Sequence, residues 1–293
     1  MNIVFIGSIT FSEKILIQLI NMKANIKGVC TLKSAHNNSD HVDLTEISIK
    51  NKIPVKYTND INSENSIKWI KSLSPDIIFC FGWSRLLKNH LLNLAPLGIL
   101  GYHPASLPAN RGRHPIIWSL ALGMTKTSST FFFMDEGADS GNILSQYQVP
   151  ISINDNASSL YKKLINTAIE QVNEFMPALE LGNFKSIKQD HNKANYWRKR
   201  GIEDGKIDWR MSADSINNLV RALSKPYPGA HFFYKEESIK VWKTKVVKNE
   251  KKNIEPGKIL AVSKNGILVK AGIDSICLMD INPILDIKLG SYL

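Results

Sequence analysis

Short apolar runs alternate with amphipathic stretches along the first half of the chain. Asn2–Ile6 reads as a strand ending at Gly7, and Phe11–Met22 then carries apolar residues at helical spacing. The same rhythm gives a strand at Ile26–Leu32, a helix at Val42–Asn51, a short strand at Ile53–Val55, a helix at Ser63–Leu73 and the apolar run Ile77–Phe81. Gly98–His103 and Ser129–Met134 are two further apolar runs, and a long helical pattern from Asn156 to Leu181 follows. Apolar strands separated by helices predict an α/β fold, an open, doubly wound, mostly parallel sheet covered on both faces. Ligand crevices in such sheets lie at the carboxyl ends of strands, where Gly7, Gly82 and the Gly137–Gly141 stretch fall. The turn Gly7–Phe11 lacks G-x-G-x-x-G spacing, which argues against a dinucleotide site.

The texture then changes. Gly182–Gly201 is polar and basic with little period and reads as a linker. Ser212–Leu223 is an amphipathic helix with Ser212 as its cap, whereas Phe232–Val247 and Ile259–Leu278 alternate like antiparallel strands. Pro226–Gly229 and Glu255–Gly257 are turns. The expected organisation is a first domain over 1–185, a linker over 186–202, and a small barrel-like β domain with one helix over 203–293.

Composition changes this picture little. The 293 residues are 43% hydrophobic, enough for full cores and against disorder. The formal charge of +11 is spread along the chain, with short runs only at Trp197–Arg200 and Lys251–Lys252. That reads as a solvated basic surface rather than a nucleic-acid face, and it is compatible with an anionic substrate. Cys30, Cys80 and Cys277 fit no metal spacing and read as reduced thiols of a cytoplasmic protein. No apolar stretch reaches the ~18 residues of a membrane span. Neither a metal nor a membrane is expected as a partner, and a homodimer is left open.

Two stretches carry candidate chemistry. In Gly101-Tyr102-His103-Pro104-Ala105-Ser106-Leu107-Pro108-Ala109-Asn110-Arg111-Gly112-Arg113-His114-Pro115, a histidine follows a buried strand in a loop stiffened by three prolines. A lone histidine is more often structural than catalytic, but one at a strand's carboxyl end faces the crevice. In Phe131-Phe132-Phe133-Met134-Asp135-Glu136-Gly137-Ala138-Asp139-Ser140-Gly141, three carboxylates cluster in a glycine-containing loop. Such a cluster is either a solvated turn or the source of a carboxylate that orients a histidine for acyl transfer.

HPASLPANRGRHPI resembles the H-x-S-L-L-P-x-x-R-G-x-x-P-I signature of the 10-formyltetrahydrofolate-dependent formyltransferases, and MDEGADSG resembles their M-D-x-G-x-D-T-G loop. KIDW, INNLVRALSKPYPGA, IKVW and EPGKIL resemble the C-terminal barrel of methionyl-tRNA formyltransferases and their sugar-modifying relatives. The resemblance runs the length of the chain in order and implies a Rossmann-like catalytic domain. It implies 10-formyltetrahydrofolate as formyl donor, with His103 and Asp139 as catalytic residues. It implies folate contacts at Ala105, Ser106, Leu107 and Pro108, and a pterin pocket walled by Phe81, Gly82, Trp83 and Ser84 and by Asp135, Glu136, Gly137, Ala138 and Asp139. One departure stands out: the family usually has Asn-x-His, its asparagine donating to the developing oxyanion, and here that position is Gly101. Losing such a donor costs on the order of 100- to 1000-fold in rate unless something replaces it. The replacement is a charged His103, another donor (Ser84, Asn110 or His114) or a water; the remaining alternative is a homologue without the reaction.

The acceptor implied by SDHVDL and GRHPIIW is a primary amine of an amino sugar, nucleotide-linked and of nonulosonic (pseudaminic) type. Ser8, Phe11, Arg111, Gly112, Arg113 and His114 are then the candidates for substrate contacts. The runner-up acceptor is methionyl-tRNA. Enzymes of that kind carry a basic D-R-P-x-G-R-G-K loop after the second strand, where this chain has one lysine and two aspartates over Lys33–Leu44. A third reading is a non-catalytic RNA-binding or scaffolding module, for which the C-terminal domain and the charge would serve.

Overall fold

A computed structural model describes residues 1–34, 39–83 and 85–293. Two compact units emerge. The first holds residues 1–112, 127–149 and 162–197, and the second holds 113–126, 150–161 and 198–293.

The elements follow in chain order: β1 (Ile3–Gly7), α1 (Thr10–Asn21), β2 (Ile26–Thr31), α2 (Thr45–Lys50), β3 (Val55–Tyr57), α3 (Glu64–Ser72), β4 (Ile77–Phe81), α4 (Asn89–Leu92) and β5 (Ile99–His103). Next come β6 (Arg111–Gly112), α5 (Pro115–Ala121), β7 (Lys126–Phe133), β8 (Ile143–Pro150), α6 (Ala157–Glu180) and β9 (Tyr196–Trp197). The seven-stranded sheet runs β3-β2-β1-β4-β5-β7-β8. Its pairs from β3 to β5 are parallel, and β5 pairs antiparallel with β7. β1 and β4 are buried at every position, as strands covered on both faces must be. Aromatic rings fill the core beside them: Phe81 lies edge-on to Phe5, Phe11 and Phe131, and Phe11 stacks on Tyr102 at 4.0 Å. Each such pair adds roughly 0.5–1.5 kcal/mol to area burial. α3 starts where Ser63 accepts the Ser66 N–H.

In the second unit, α7 (Ala213–Ala222) is capped by Ser212, which accepts the Ser215 N–H. It packs on β11 (Glu237–Val247) and β14 (Ser275–Asn282), and β10 (Ala230–Tyr234), β12 (Ile259–Ser263) and β13 (Gly266–Lys270) complete the strands of this unit. Their antiparallel pairings form one open series, β10-β11-β14-β13-β12. The expected β-rich domain is present, but strand pairing among the described residues does not close it into a barrel. The segment expected to be a linker, 186–202, is structured through its first part. β9 pairs in parallel with β6, and Gln189 is buried in the first unit. Among the described residues no helix is long and apolar enough to cross a membrane.

Candidate active site

His103 ends β5 and is 5% exposed. Its Nε2 lies 2.8 Å from the carbonyl of Asn110, and a carbonyl can only accept, so Nε2 carries the proton. The other nitrogen, Nδ1, faces Asp139 Oδ2 at 3.6 Å, close enough for an ion pair and too long for a hydrogen bond. Both ring nitrogens are thus occupied, Nε2 by the Asn110 carbonyl and Nδ1 by the facing carboxylate.

The two groups do not meet simply because both strands end in the crevice. β7 runs against β5 in the register His103 with Thr130 and Leu100 with Phe133. The chain thus leaves β7 at the opening end of β5, where Met134 N–H donates to the Ile99 carbonyl at 2.7 Å. The loop that follows doubles back to bring Asp139 to the histidine.

A buried network fixes that return. Asp139 is left-handed at φ 54°, a conformation Asp tolerates better than most residues. Its Oδ2 accepts the Gly112 N–H at 2.8 Å. Gln189 Nε2 donates to the carbonyls of Asp139 (2.9 Å) and Gly141 (2.6 Å). Gln189 Oε1 in turn accepts from Arg111 Nε and Nη2 at 3.2 and 2.6 Å. Arg111 completes its shell with Tyr196 Oη at 2.9 Å and His191 Nδ1 at 3.2 Å. Gly112 adopts φ 103°, and a Cβ there would collide with the Trp197 carbonyl, so β9 and the Asp139 clamp both require glycine.

Several expected substrate contacts are committed elsewhere. Arg111 is 1% exposed, and its guanidinium holds the network instead of a phosphate. Phe11 is 2% exposed within the aromatic core. Ser8 is buried, and its carbonyl accepts the Val42 N–H. Gly112 acts through its backbone on Asp139. Arg113 and His114 fall in the second unit, Arg113 exposed and His114 half-buried. Burial, then Arg113, Arg200 and Lys199, push the His114 imidazole below its ordinary value. Beside them Arg200 and Arg198 lie over the Trp118 ring at 4.4 and 5.4 Å, and both bond to Asp204.

Among the expected folate residues, Phe81, Ala105 and Leu107 are buried, while Gly82, Ser106 and Pro108 are half-buried. Ser106 Oγ bonds to Ser128 Oγ at 2.7 Å. Asp135 turns inward on its own loop, accepting from Gly137 N–H and Ser140 Oγ, and Glu136 accepts from Asn89. Gly137 and Ala138 are exposed. Trp83 and Met134 are partly buried against one apolar cluster, and the Trp83 Nε1 is buried with no partner among the described residues. Ser84 lies outside the described residues. Gln189, Asn195 and Tyr196 are site residues that the sequence reading missed. Their partners lie 48–85 positions away, so no local pattern announces them. Among the described residues no group of three or more His, Cys, Asp or Glu is placed to hold a metal.

The doubly wound α/β unit thus holds a buried imidazole and a carboxylate side by side, a pair able to move a proton. Residues 1–174 match the Formyl transferase family model and 201–286 the Formyl transferase C-terminal domain. The chain belongs to the formyl transferase family. It is 34% identical to the methionyl-tRNA formyltransferase of Clostridioides difficile (strain 630) over 284 residues, 96% of this chain and 91% of that protein. It is 38% identical over 213 residues to the bifunctional polymyxin resistance protein ArnA of Wigglesworthia glossinidia brevipalpis, covering 73% of this chain and 32% of that longer protein. The solved structure of WlaRD, a sugar 3N-formyl transferase in the presence of dTDP and 5-N-formyl-THF, is similar in fold. Its TM-score is 0.71 at 17% identity, over 97% of this chain and 99% of that one.

Proposed function

We propose that this enzyme transfers a formyl group from 10-formyltetrahydrofolate to the primary amine of a nucleotide-linked amino sugar of nonulosonic (pseudaminic) type. The observation that carries the reading is the clamped His103–Asp139 pair, with Nδ1 and Oδ2 3.6 Å apart. Trp83 and Met134 supply a half-buried apolar wall, and the unpartnered Trp83 indole N–H beside it suits a flat, polar-edged heterocycle such as a pterin. Gly82 and the Asp135–Ala138 loop would hold its edge, and Ala105–Pro108 the rest of the carrier. When bound, the carrier supplies an activated formyl carbon.

The protein's part follows from the ring's orientation. Asn110 holds the Nε2–H, so Nδ1 is the basic edge. The amine nitrogen bonds to the formyl carbon as the carbonyl pair moves onto oxygen, and the amine proton passes to Nδ1. Asp139 Oδ2 partners the charged ring. Nδ1 would then return that proton to the carrier nitrogen as its bond to the formyl carbon breaks, leaving the ring as it began. Arg113 and His114 are proposed as further contacts of the substrate.

The Clostridioides relative, with its near-complete coverage, favours initiator methionyl-tRNA as a second acceptor. Against it stands the sequence Lys33–Leu44, with its single lysine. A cytoplasmic location belongs to the same reading, supported by three free cysteines, two of them buried. The test is 10-formyltetrahydrofolate turnover against a panel of nucleotide-linked amino sugars, with charged initiator tRNA alongside. Turnover on a sugar amine is expected; turnover on the tRNA alone would overturn the sugar assignment.

A further inference from the structure

Charge gathers on the formyl oxygen as the amine attacks, and a site that leaves it without a fixed donor forgoes a large part of the rate. Among the described residues, the donors closest to hand around His103 are already engaged or absent. His103 has its Nε2–H on the Asn110 carbonyl and turns Nδ1 toward the Asp139 carboxylate, so neither ring nitrogen is free. Gly101, two residues earlier on the same face of β5, has no side chain, and the space its Cβ would take is closed by Met134 Cγ at 2.8 Å and the Phe132 ring at 3.1 Å. Oδ2 of Asp139 is itself an acceptor.

Asn110 differs from all of these. Its backbone is gripped at both ends: its N–H donates to Asn195 Oδ1 at 2.8 Å and its carbonyl accepts from His103. The next residue, Arg111, donates its N–H to the Asn195 carbonyl at 3.0 Å. Asn110 is held left-handed at φ 66° and is half-buried, yet its carboxamide has no hydrogen-bond partner among the described residues. The amide springs from the same residue whose carbonyl touches the imidazole.

We propose that the Asn110 carboxamide is the oxyanion donor of this enzyme, a catalytic residue that takes the place left empty at Gly101. The proposal rests on the formyl-transfer reading above. One residue then does two jobs: its carbonyl sets the tautomer of His103, making Nδ1 the base, and its Nδ2–H₂ meets the charge that the base's work creates. The backbone clamps, which involve Asn195, are what fix the amide's origin before substrate arrives.

The left-handed φ makes a clean test available. Glycine adopts φ 66° more readily than asparagine, so Asn110→Gly keeps the backbone N–H and carbonyl in place and deletes the carboxamide alone. The expected result is a kcat lower by about 100- to 1000-fold with the KM for the amine and the thermal midpoint little changed. Asn110→Asp, nearly the same shape but with a carboxylate where negative charge gathers, is expected to fall below Asn110→Gly; a merely structural role gives the reverse order. The second readout needs no turnover: the infrared carbonyl stretch of bound 10-formyltetrahydrofolate carrying a ¹³C-formyl label, recorded without amine. Wild type should shift it to lower frequency than in solution, and Asn110→Gly should abolish the shift. An unshifted carbonyl in the wild type, or an Asn110→Gly enzyme within threefold of wild-type kcat, overturns the proposal. If no sugar amine is formylated but the shift appears and depends on Asn110, the acceptor reading fails and the donor assignment stands.

Discussion

Gln189→Leu isolates what holds the Asp139 loop. The substitution keeps the side chain's bulk and removes four hydrogen bonds, two to the carbonyls of Asp139 and Gly141 and two from Arg111. Tyr196 and His191 still take Nη1 and part of Nη2, which leaves the Arg111 Nε and two carbonyls unpaired at a site where Gln189 is 4% and Arg111 1% exposed. With about 1 kcal/mol for each neutral group and about 2 kcal/mol for the charged donor, the loss is about 4 kcal/mol. That is roughly a thousandfold in the folding equilibrium. Equilibrium unfolding in guanidinium chloride measures it, and amide exchange across residues 103–112 and 134–142 localises it. Arg111→Met in the same background withdraws the unpaired charge and should recover roughly 1–3 kcal/mol, so the double variant is more stable than the sum of the single ones predicts. It should not recover turnover, because the Asp139 carbonyl is still untethered. A Gln189→Leu protein within 1 kcal/mol of wild type, or strict additivity of the pair, would refute the network.

Three further outcomes follow from the same geometry. His103→Ala and Asp139→Asn should each lower kcat by roughly 10²- to 10⁴-fold with the fold retained by circular dichroism; activity near wild type in either removes the pair from the chemistry. Burial pushes the Cys30 and Cys80 thiols up to about 12, so in the native protein a thiol reagent at pH 8 should titrate Cys277 alone, and rapid reaction at two or more sites contradicts the packing. The folded His114 titrates below the ~6.5 of an unfolded imidazole, so its neutral form stabilises the fold above that value and the contribution is lost as pH falls through it. The thermal midpoint should therefore drop more between pH 7.5 and 5.5 in wild type than in His114→Asn, which tolerates the φ of 56°; parallel profiles would count against it.

What the sequence conveyed depended on how local the signal was. β1 and β4 announce themselves because a strand covered on both faces must be apolar at every position. α3 and α7 announce their starts through serine caps at Ser63 and Ser212. Strand direction has no such signature: nothing in the apolar run Phe131–Phe133 distinguishes a strand parallel to β5 from one running against it. β8, with polar residues through its middle, gave no run to see. Phe11 and Ser8 looked like crevice residues because they follow β1, yet a ring two residues away from a turn can swing into the core, and Phe11 does. Gln189 was hidden in a basic, aperiodic stretch, since burial by distant partners leaves no period.

The reversal of β7 also explains why the second motif is a loop rather than a turn. β7 and β8 are neighbours in the sheet, and neighbouring strands joined in sequence need only about two to five connecting residues. At the base of this connection the Phe133 N–H already meets the Asn142 carbonyl at 2.8 Å, so residues 134–141 add nothing to the pairing of the strands. Their length is what carries a carboxylate from the wrong end of β5 back to the histidine, and Gly112, Gln189 and Arg111 hold it there. The sheet would stand without those residues; the juxtaposition of His103 and Asp139 would not. Fold and chemistry are thus written in different parts of the chain, the first in apolar strands and the second in a polar excursion whose anchors lie far away in sequence.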